Sequence, residues 1–449
     1  MASEAFPEDF KQRMMAQLGS QFAEFAAAHK QQSPVSIRIN ASKHTVSGLE
    51  PVPWTSTGFY LAERPSFTLD PSFHGGAYYV QEASSMFLEQ AFLQAIDPAE
   101  PINVLDLCGA PGGKSTHLLS LMNKESLLVS NEVIRSRSGV LAENIQKWGS
   151  NNVVVTSTDP EAFNQLAGFF DLVVIDAPCS GEGMFRKDPA AMDTWSLDNV
   201  ALCTRRQQRI LSDVWPAIKA GGHLIYSTCT YNASENEENL AWLESQHDID
   251  FIPLNIDPNW NIESIQYGKV IGYKLYPHRV KGEGLFLAVI RKASSEKELR
   301  LKSFATLATP SKKIQQQLAP WISDAGEKTI FQHADQLRFF PTNKMRELEV
   351  LAKSIYIVNA GTHIATAKHD KLVPAHAGAL SQSLNKENFE SIRVTQAEAL
   401  TYLRKQTMNP TGNAKGFALV EYNELPLGWV NVLDNRINNL YPADWKIRM

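Results

Sequence analysis

The chain is poor in cysteine, with four in 449 residues: Cys108, Cys179, Cys203 and Cys229. None stands in a CxxC pair. This argues against a structural zinc site and against a disulfide-built secreted scaffold. Long apolar runs are missing too, and no stretch approaches the ~18 to 20 residues that a membrane span needs. The opening "MASEAFPEDFKQRM" is acidic and polar, unlike a signal or transit peptide. A cytoplasmic location, no membrane and no metal are therefore expected. A strong positive charge is also lacking, since 43 Lys and Arg face 48 Asp and Glu for a net −5. Residues 305–449 hold 17 basic and 13 acidic side chains, against 26 and 35 in the remainder. The tail is mildly basic, which alone says little about a nucleic-acid partner. Internal repeats and low-complexity segments are absent. What remains is ordinary globular material, 43% hydrophobic and 20% charged, enough for roughly two to four domains.

Residues 1–75 read as a small N-terminal domain. "FPEDFKQRMMAQLGSQFAEFAAAH" has helical spacing with Pro7 near its start, and "PVSIRIN" is a short strand. Over 76–292 the pattern changes. Apolar strands ("INVLDLC", "SLLVSNE", "NVVVTSTD", "FDLVVIDAP", "HLIYSTCT") alternate with helical stretches. Apolar strands without strict alternation are buried on both faces, hence a parallel sheet covered by helices. "VIGYKLYPHR" and "GEGLFLAVIRK" close the unit as a hairpin. The expected class is α/β, a doubly wound, Rossmann-like core. Charged 293–303 reads as a linker. Residues 304–390 and 391–449 read as an α+β extension with helices in "SKKIQQQLAPWI" and "TQAEALTYLRKQ".

In "VLDLCGAPGGKSTHLL" a strand ends in a glycine-rich turn and a helix begins. The turn runs through Cys108, Gly109, Ala110, Pro111, Gly112, Gly113 and Lys114. Such a turn lets a nucleotide-like cofactor approach the backbone. It is no P-loop, because Cys108 stands where that spacing, counted back from Lys114, needs its first glycine. Glu132 ends the second strand, where a carboxylate accepts from ribose hydroxyls. Asp159 follows the third strand, either to bond an adenine amino group or to cap the next helix. Two cysteines then stand after successive strands, Cys179 in "IDAPCSGEGMF" and Cys229 in "IYSTCTYNASEN". A right-handed crossover makes those strands neighbours, ~4.8 Å apart, with both thiols at the carboxyl edge where ligands bind. A lone buried cysteine is usually packing, as Cys203 on its helix is expected to be. Two at strand ends beside a cofactor turn suggest chemistry. A thiolate adding to carbon 6 of cytosine makes carbon 5 nucleophilic toward a methyl donor. Asp176, three residues before Cys179, is positioned to donate a proton toward ring nitrogen 3 if it carries one. Lys114 supports charge in the same pocket.

These residues resemble the RNA cytosine-5 methyltransferase family, the Nop/Sun group, which carries a "PC" and a "TC" motif. Here these are Pro178-Cys179 and Thr228-Cys229. The resemblance implies Cys229 as nucleophile and Cys179 as the thiol that aids product release. "CGAPGGK", Glu132, Asp159 and Asp176 correspond to that family's S-adenosylmethionine site. "IRIN", "YVQEASSM" and "PHRVKGEGLFLAVIRK" extend the match over about 35–292. The layout, with a tail ending "LGWVNVLDNRINNLYP", is similar to the F-type 16S ribosomal RNA methyltransferases. This implies a PUA-like RNA-binding module at 391–449, although Asn431 stands where that group tends to have lysine. Arg38, Arg186, Lys187 and Arg436 are the RNA-contact candidates, with structural pairing or plain solvated surface as their alternatives. The expected partner is RNA, small-subunit ribosomal RNA or its particle before transfer RNA, and the chain is expected to be a monomer. The rivals are an inactive RNA-binding assembly factor and a nicotinamide-dependent oxidoreductase. The second is disfavoured by the missing G-x-G-x-x-G.

Overall fold

The computed structural model describes residues 6–294, 307–369, 371–408 and 414–448. At its centre is a ten-stranded sheet. Five strands run parallel in the spatial order Ile218–Thr228, Phe170–Asp176, Asn103–Asp106, Leu127–Asn131, Val153–Thr156. Their middle residues, among them Val104, Val129, Val154 and Val173, have no exposed surface. Helices Leu88–Ala95, Gly113–Leu121 and Arg135–Trp148 cover one face, and Leu197–Val214 with Glu237–Gln246 the other. Each fully buried Val or Leu there contributes about 1.5–3 kcal/mol. The expected hairpin forms, Val270–Leu275 with Leu285–Lys292, and the latter pairs antiparallel with Ile218–Thr228. The strand order reverses between Asn103–Asp106 and Phe170–Asp176, which opens a ligand crevice at their carboxyl ends.

Three features depart from the sequence reading. Strand Tyr78–Val80 pairs with Val35–Ile39 inside the N-terminal sheet, so a boundary at 75 cuts that sheet. Strand Ile357–Ala360 pairs with Val153–Thr156, so the segment 304–390 lends an edge strand to the core rather than only extending it. The N-terminal helices Glu8–Leu18 and Phe22–Ala28 pack on the loops that follow the two cysteine strands, with Phe10 and Phe25 against Phe185, Trp195 and Tyr231. The linker expected at 293–303 lies, from residue 295 on, outside the described residues. The tail folds as the sheet Glu390–Arg393, Gly416–Tyr422, Leu425–Leu433, Arg436–Asn439. Its helix Gln396–Leu403 begins with a Thr395–Glu398 capping box. Among the described residues no helix is long and apolar enough to cross a membrane. Lys43 clamps three parts of the chain, donating to the carbonyls of Gly75 (3.1 Å), Lys147 (2.6 Å) and Leu380 (2.7 Å).

Burial also sets a pH dependence. Burial pushes His29, His117 and His363 down to about 4 and His376 to about 3. His74, His223 and His278 move the same way for the same reason. The unfolded chain protonates these imidazoles near pH 6.5, the folded chain only well below, so acid favours unfolding. The buried carboxyls of Glu82, Asp106 and Glu235, pushed upward by burial, act in the opposite sense. They are fewer. The thermal midpoint is therefore expected to hold above pH 7 and fall steadily from pH 6.5 toward pH 4. The loss is on the order of 1.4 kcal/mol per fully shifted imidazole for each pH step. Differential scanning fluorimetry over that range measures it, and a flat midpoint down to pH 4.5 would refute it.

Candidate active site

The cofactor turn sits at the carboxyl end of Asn103–Asp106. Gly112 ends it in a left-handed conformation (φ 117°) that favours glycine, and the helix Gly113–Leu121 starts there. Gly109 lies so close to the sheet that an added Cβ would stand 2.4 Å from Ser130 Oγ and 2.9 Å from Ser115 Oγ. Its N–H donates to Asn131 O at 2.7 Å. Beneath it Asp106 is fully buried. One oxygen accepts from Ser115 Oγ at 2.6 Å and the other has no protein partner. Burial pushes this carboxyl up to about 7. An unpartnered carboxylate oxygen beneath a turn with no room for a side chain suits a ligand that brings a cationic or N–H group. Burial likewise raises the Cys108 thiol.

Glu132 is buried at the end of Leu127–Asn131. It accepts from Ile134 N at 2.9 Å and pairs with Arg137 at 3.3 Å. Arg137 also donates to Ala110 O at 2.9 Å, so this pair braces the turn. Asp159 is half exposed, caps the turn Pro160–Leu166 through Glu161 N, and pairs with Arg209. The capping alternative thus describes its place.

The two cysteine strands are direct neighbours, with Asp176 paired to Ser227. This register brings Cys179 Sγ to 3.2 Å from Cys229 Sγ, both partly exposed. The contact with Cys229 first, and burial second, hold the Cys179 thiol well above its usual range. Cys179 therefore keeps its proton and can donate it to Cys229. Lys114 Nζ lies 2.8 Å from one Asp176 oxygen, and Ser227 Oγ donates to the other at 3.0 Å. Asp176 thus accepts on both oxygens, from Lys114 and from Ser227. Burial opposes the Lys114 ammonium, but the Asp176 charge and hydrogen bond outweigh it and the net direction is upward. Cys203 is buried on its helix as packing.

Two of the RNA-contact candidates do not fit their role. Arg38 has no exposed surface. It donates to Gln81 (2.8 Å) and Thr116 (2.6 Å) and lies over the Trp148 ring at 4.4 Å. The Arg186 side chain is 4% exposed, paired with Glu283 at 2.8 Å and donating to Gly282 O at 2.6 Å. Both guanidinium groups are spent inside the protein, out of reach of a phosphate. Lys187 and Arg436 are exposed. The sequence reading passes over Asp106, although an acid closing the first strand was a visible signal. It also passes over Glu182, which is buried and accepts from Arg13 (2.5 Å), Trp195 Nε1 (3.1 Å) and Tyr231 N (3.1 Å). That carboxylate joins the N-terminal helix to both cysteine loops, a long-range contact with no local pattern.

Residues 93–291 match the family model for the 16S rRNA methyltransferase RsmB/F. Residues 6–83 match that for the N-terminal domain of 16S rRNA methyltransferase RsmF, and 389–447 that for the methyltransferase RsmF PUA domain. A ribosomal RNA small subunit methyltransferase F from Shewanella loihica is 31% identical over 441 residues, covering 91% of this chain and 88% of the relative. One of the same name from Escherichia coli O139:H28 is 30% identical over 471 residues, covering 98% and 96%. Among solved structures, a methyltransferase homolog protein from Pyrococcus horikoshii superposes with a TM-score of 0.55 at 28% identity, over 64% of this chain and 96% of that one.

Proposed function

The chain belongs to the ribosomal RNA small subunit methyltransferase F family, and from that premise we propose that it methylates carbon 5 of a cytidine in 16S ribosomal RNA through a covalent Cys229 adduct. The observation that carries this reading is the pair of thiols 3.2 Å apart beside the Lys114–Asp176 ion pair, at the edge where the cofactor turn opens. S-adenosylmethionine, when bound, supplies the electrophilic methyl group. The turn 108–114 and the buried, unpartnered oxygen of Asp106 fit its cationic methionine end, and Glu132 fits its ribose.

The chain's own groups do the rest. The Cys229 thiolate forms a bond to carbon 6, and the ring's 5,6 double bond electrons pass toward the carbonyl and ring nitrogen 3. Lys114, the cation beside Asp176, stabilises the charge that develops there. After carbon 5 is methylated, its proton must leave, and the carbon 6–sulfur bond then breaks to restore the double bond and return the thiolate. Cys179, adjacent and protonated, hydrogen-bonds the departing Cys229 sulfur during this elimination, while the carbon 5 proton passes to solvent water. A target cytidine must be unstacked or in a loop to reach the thiols. Lys187 and Arg436 remain as phosphate contacts, and the module at 391–449 as an RNA-holding surface.

The test uses purified protein and tritiated S-adenosylmethionine with small-subunit particles, naked 16S ribosomal RNA and transfer RNA in parallel. Labelled 5-methylcytidine is expected in a small-subunit species. Label in transfer RNA alone would keep the chemistry and overturn the substrate. No incorporation despite measured cofactor binding would favour an inactive RNA-binding factor.

A further inference from the structure

The two cysteine loops meet at one buried carboxylate outside the reacting group. Glu235 lies at the end of the turn Ala233–Glu235, has no exposed surface, and belongs to neither motif. One oxygen accepts from Ser180 N at 2.8 Å and from Gln207 Nε2 at 3.2 Å. The other accepts from Ser180 Oγ at 2.5 Å. Ser180 is the residue after Cys179, and its hydroxyl lies 3.1 Å from that of Thr230, the residue after Cys229. Gln207 also donates to Pro178 O at 3.0 Å, on the other side of Cys179. Gln207 is held in turn by Asn239 at 2.7 Å. The carboxylate is itself anchored, because Tyr226 Oη donates to the Glu235 carbonyl at 2.7 Å.

We propose that Glu235 is the positioning residue that holds Cys179 and Cys229 in register, fixing the Cys179 loop on both sides and reaching the Cys229 loop through Ser180 and Thr230. This rests on the reading that both thiols act in one reaction. A buried carboxylate that accepts three donors, two from the Cys179 loop and one from the helix Leu197–Val214, is a rigid fixture, and losing it leaves those donors without that acceptor. A misplacement of ~1 Å between reacting groups can cost about 10²-fold in rate. Glu235 touches no reacting atom, so its effect must appear in the distance between the thiols before it appears in turnover.

The experiment measures that distance independently of methylation. Diamide takes up two electrons and the two thiol protons as a Cys179–Cys229 disulfide forms. The rate is followed by alkylation of the remaining thiols and peptide mass spectrometry. In Glu235→Ala, disulfide formation is expected to slow at least about tenfold and kcat to fall about 10²-fold, with S-adenosylmethionine affinity and RNA KM within about twofold. Glu235→Gln, which keeps one acceptor oxygen, should fall between. If Glu235→Ala does not fold, Ser180→Ala and Thr230→Val each break one link and should slow the disulfide in the same direction by less. Wild-type disulfide rates in the folded variants would overturn the proposal. If the unaltered protein transfers no methyl group, the activity reading fails, and the disulfide rate still decides this one.

Discussion

Cys229→Ser abolishes methyl transfer while S-adenosylmethionine still binds: this is the expected result if Cys229 forms the covalent bond. A serine hydroxyl is close in shape to a thiol, so the strand end and its neighbours need not move. Its proton is held far more tightly, and its described neighbours are poorly placed to remove it. The adjacent group is a thiol that keeps its own proton, and Asp176 is occupied by Lys114 and Ser227. Turnover should drop on the order of 10³-fold or more. Cofactor affinity, which the proposed reading assigns to the turn 108–114, Asp106 and Glu132, should change less than twofold. Tritium incorporation against isothermal titration separates the two quantities. Retention of a tenth of the activity would exclude Cys229 as nucleophile and throw the chemistry onto Cys179.

The central sheet was legible because its strands are apolar on both faces, a pattern that only a helix-covered parallel sheet explains. The thiol pair was legible for a related reason, since strand adjacency follows from the crossover rule and both cysteines stand at strand ends. What stayed hidden depends on contacts distant in sequence. Arg38 sits between Ile37 and Ile39 in a strand buried along its whole length, because the helix Gly113–Leu121 covers the side that would otherwise face water. A cation in such a strand reads as exposed until that helix is in place. Glu182 and Glu235 look like ordinary acids of polar loops, and only the closed fold shows them turned inward. Ile357–Ala360 joins the core from far along the chain, and no local pattern in a four-residue strand says which sheet it completes.

Cys179→Ala should give the opposite phenotype, a protein that reacts and cannot let go. On the proposed mechanism carbon 6 attack needs only Cys229 and a charge-stabilising Lys114, both of which remain. Elimination needs the carbon 5 proton removed and the sulfur released as thiolate. In the unaltered protein the proton-bearing thiol 3.2 Å from Cys229 Sγ is the group nearest to that departing sulfur. With a methyl in its place the departing sulfur loses its hydrogen-bond donor. The adduct is then expected to accumulate as a protein–RNA species that survives denaturing electrophoresis, runs above the free protein, and collapses on ribonuclease digestion. Close to one RNA per protein should be trapped, and multiple turnover should fall at least about 10²-fold while the first methyl transfer proceeds. The Cys179→Ala, Cys229→Ser double variant should give no shifted band, which ties the covalent bond to Cys229. A Cys179→Ala protein that turns over freely, or that forms no adduct on a confirmed substrate, would remove Cys179 from the release step. The 3.2 Å contact would then be a packing contact between two thiols of which only one reacts.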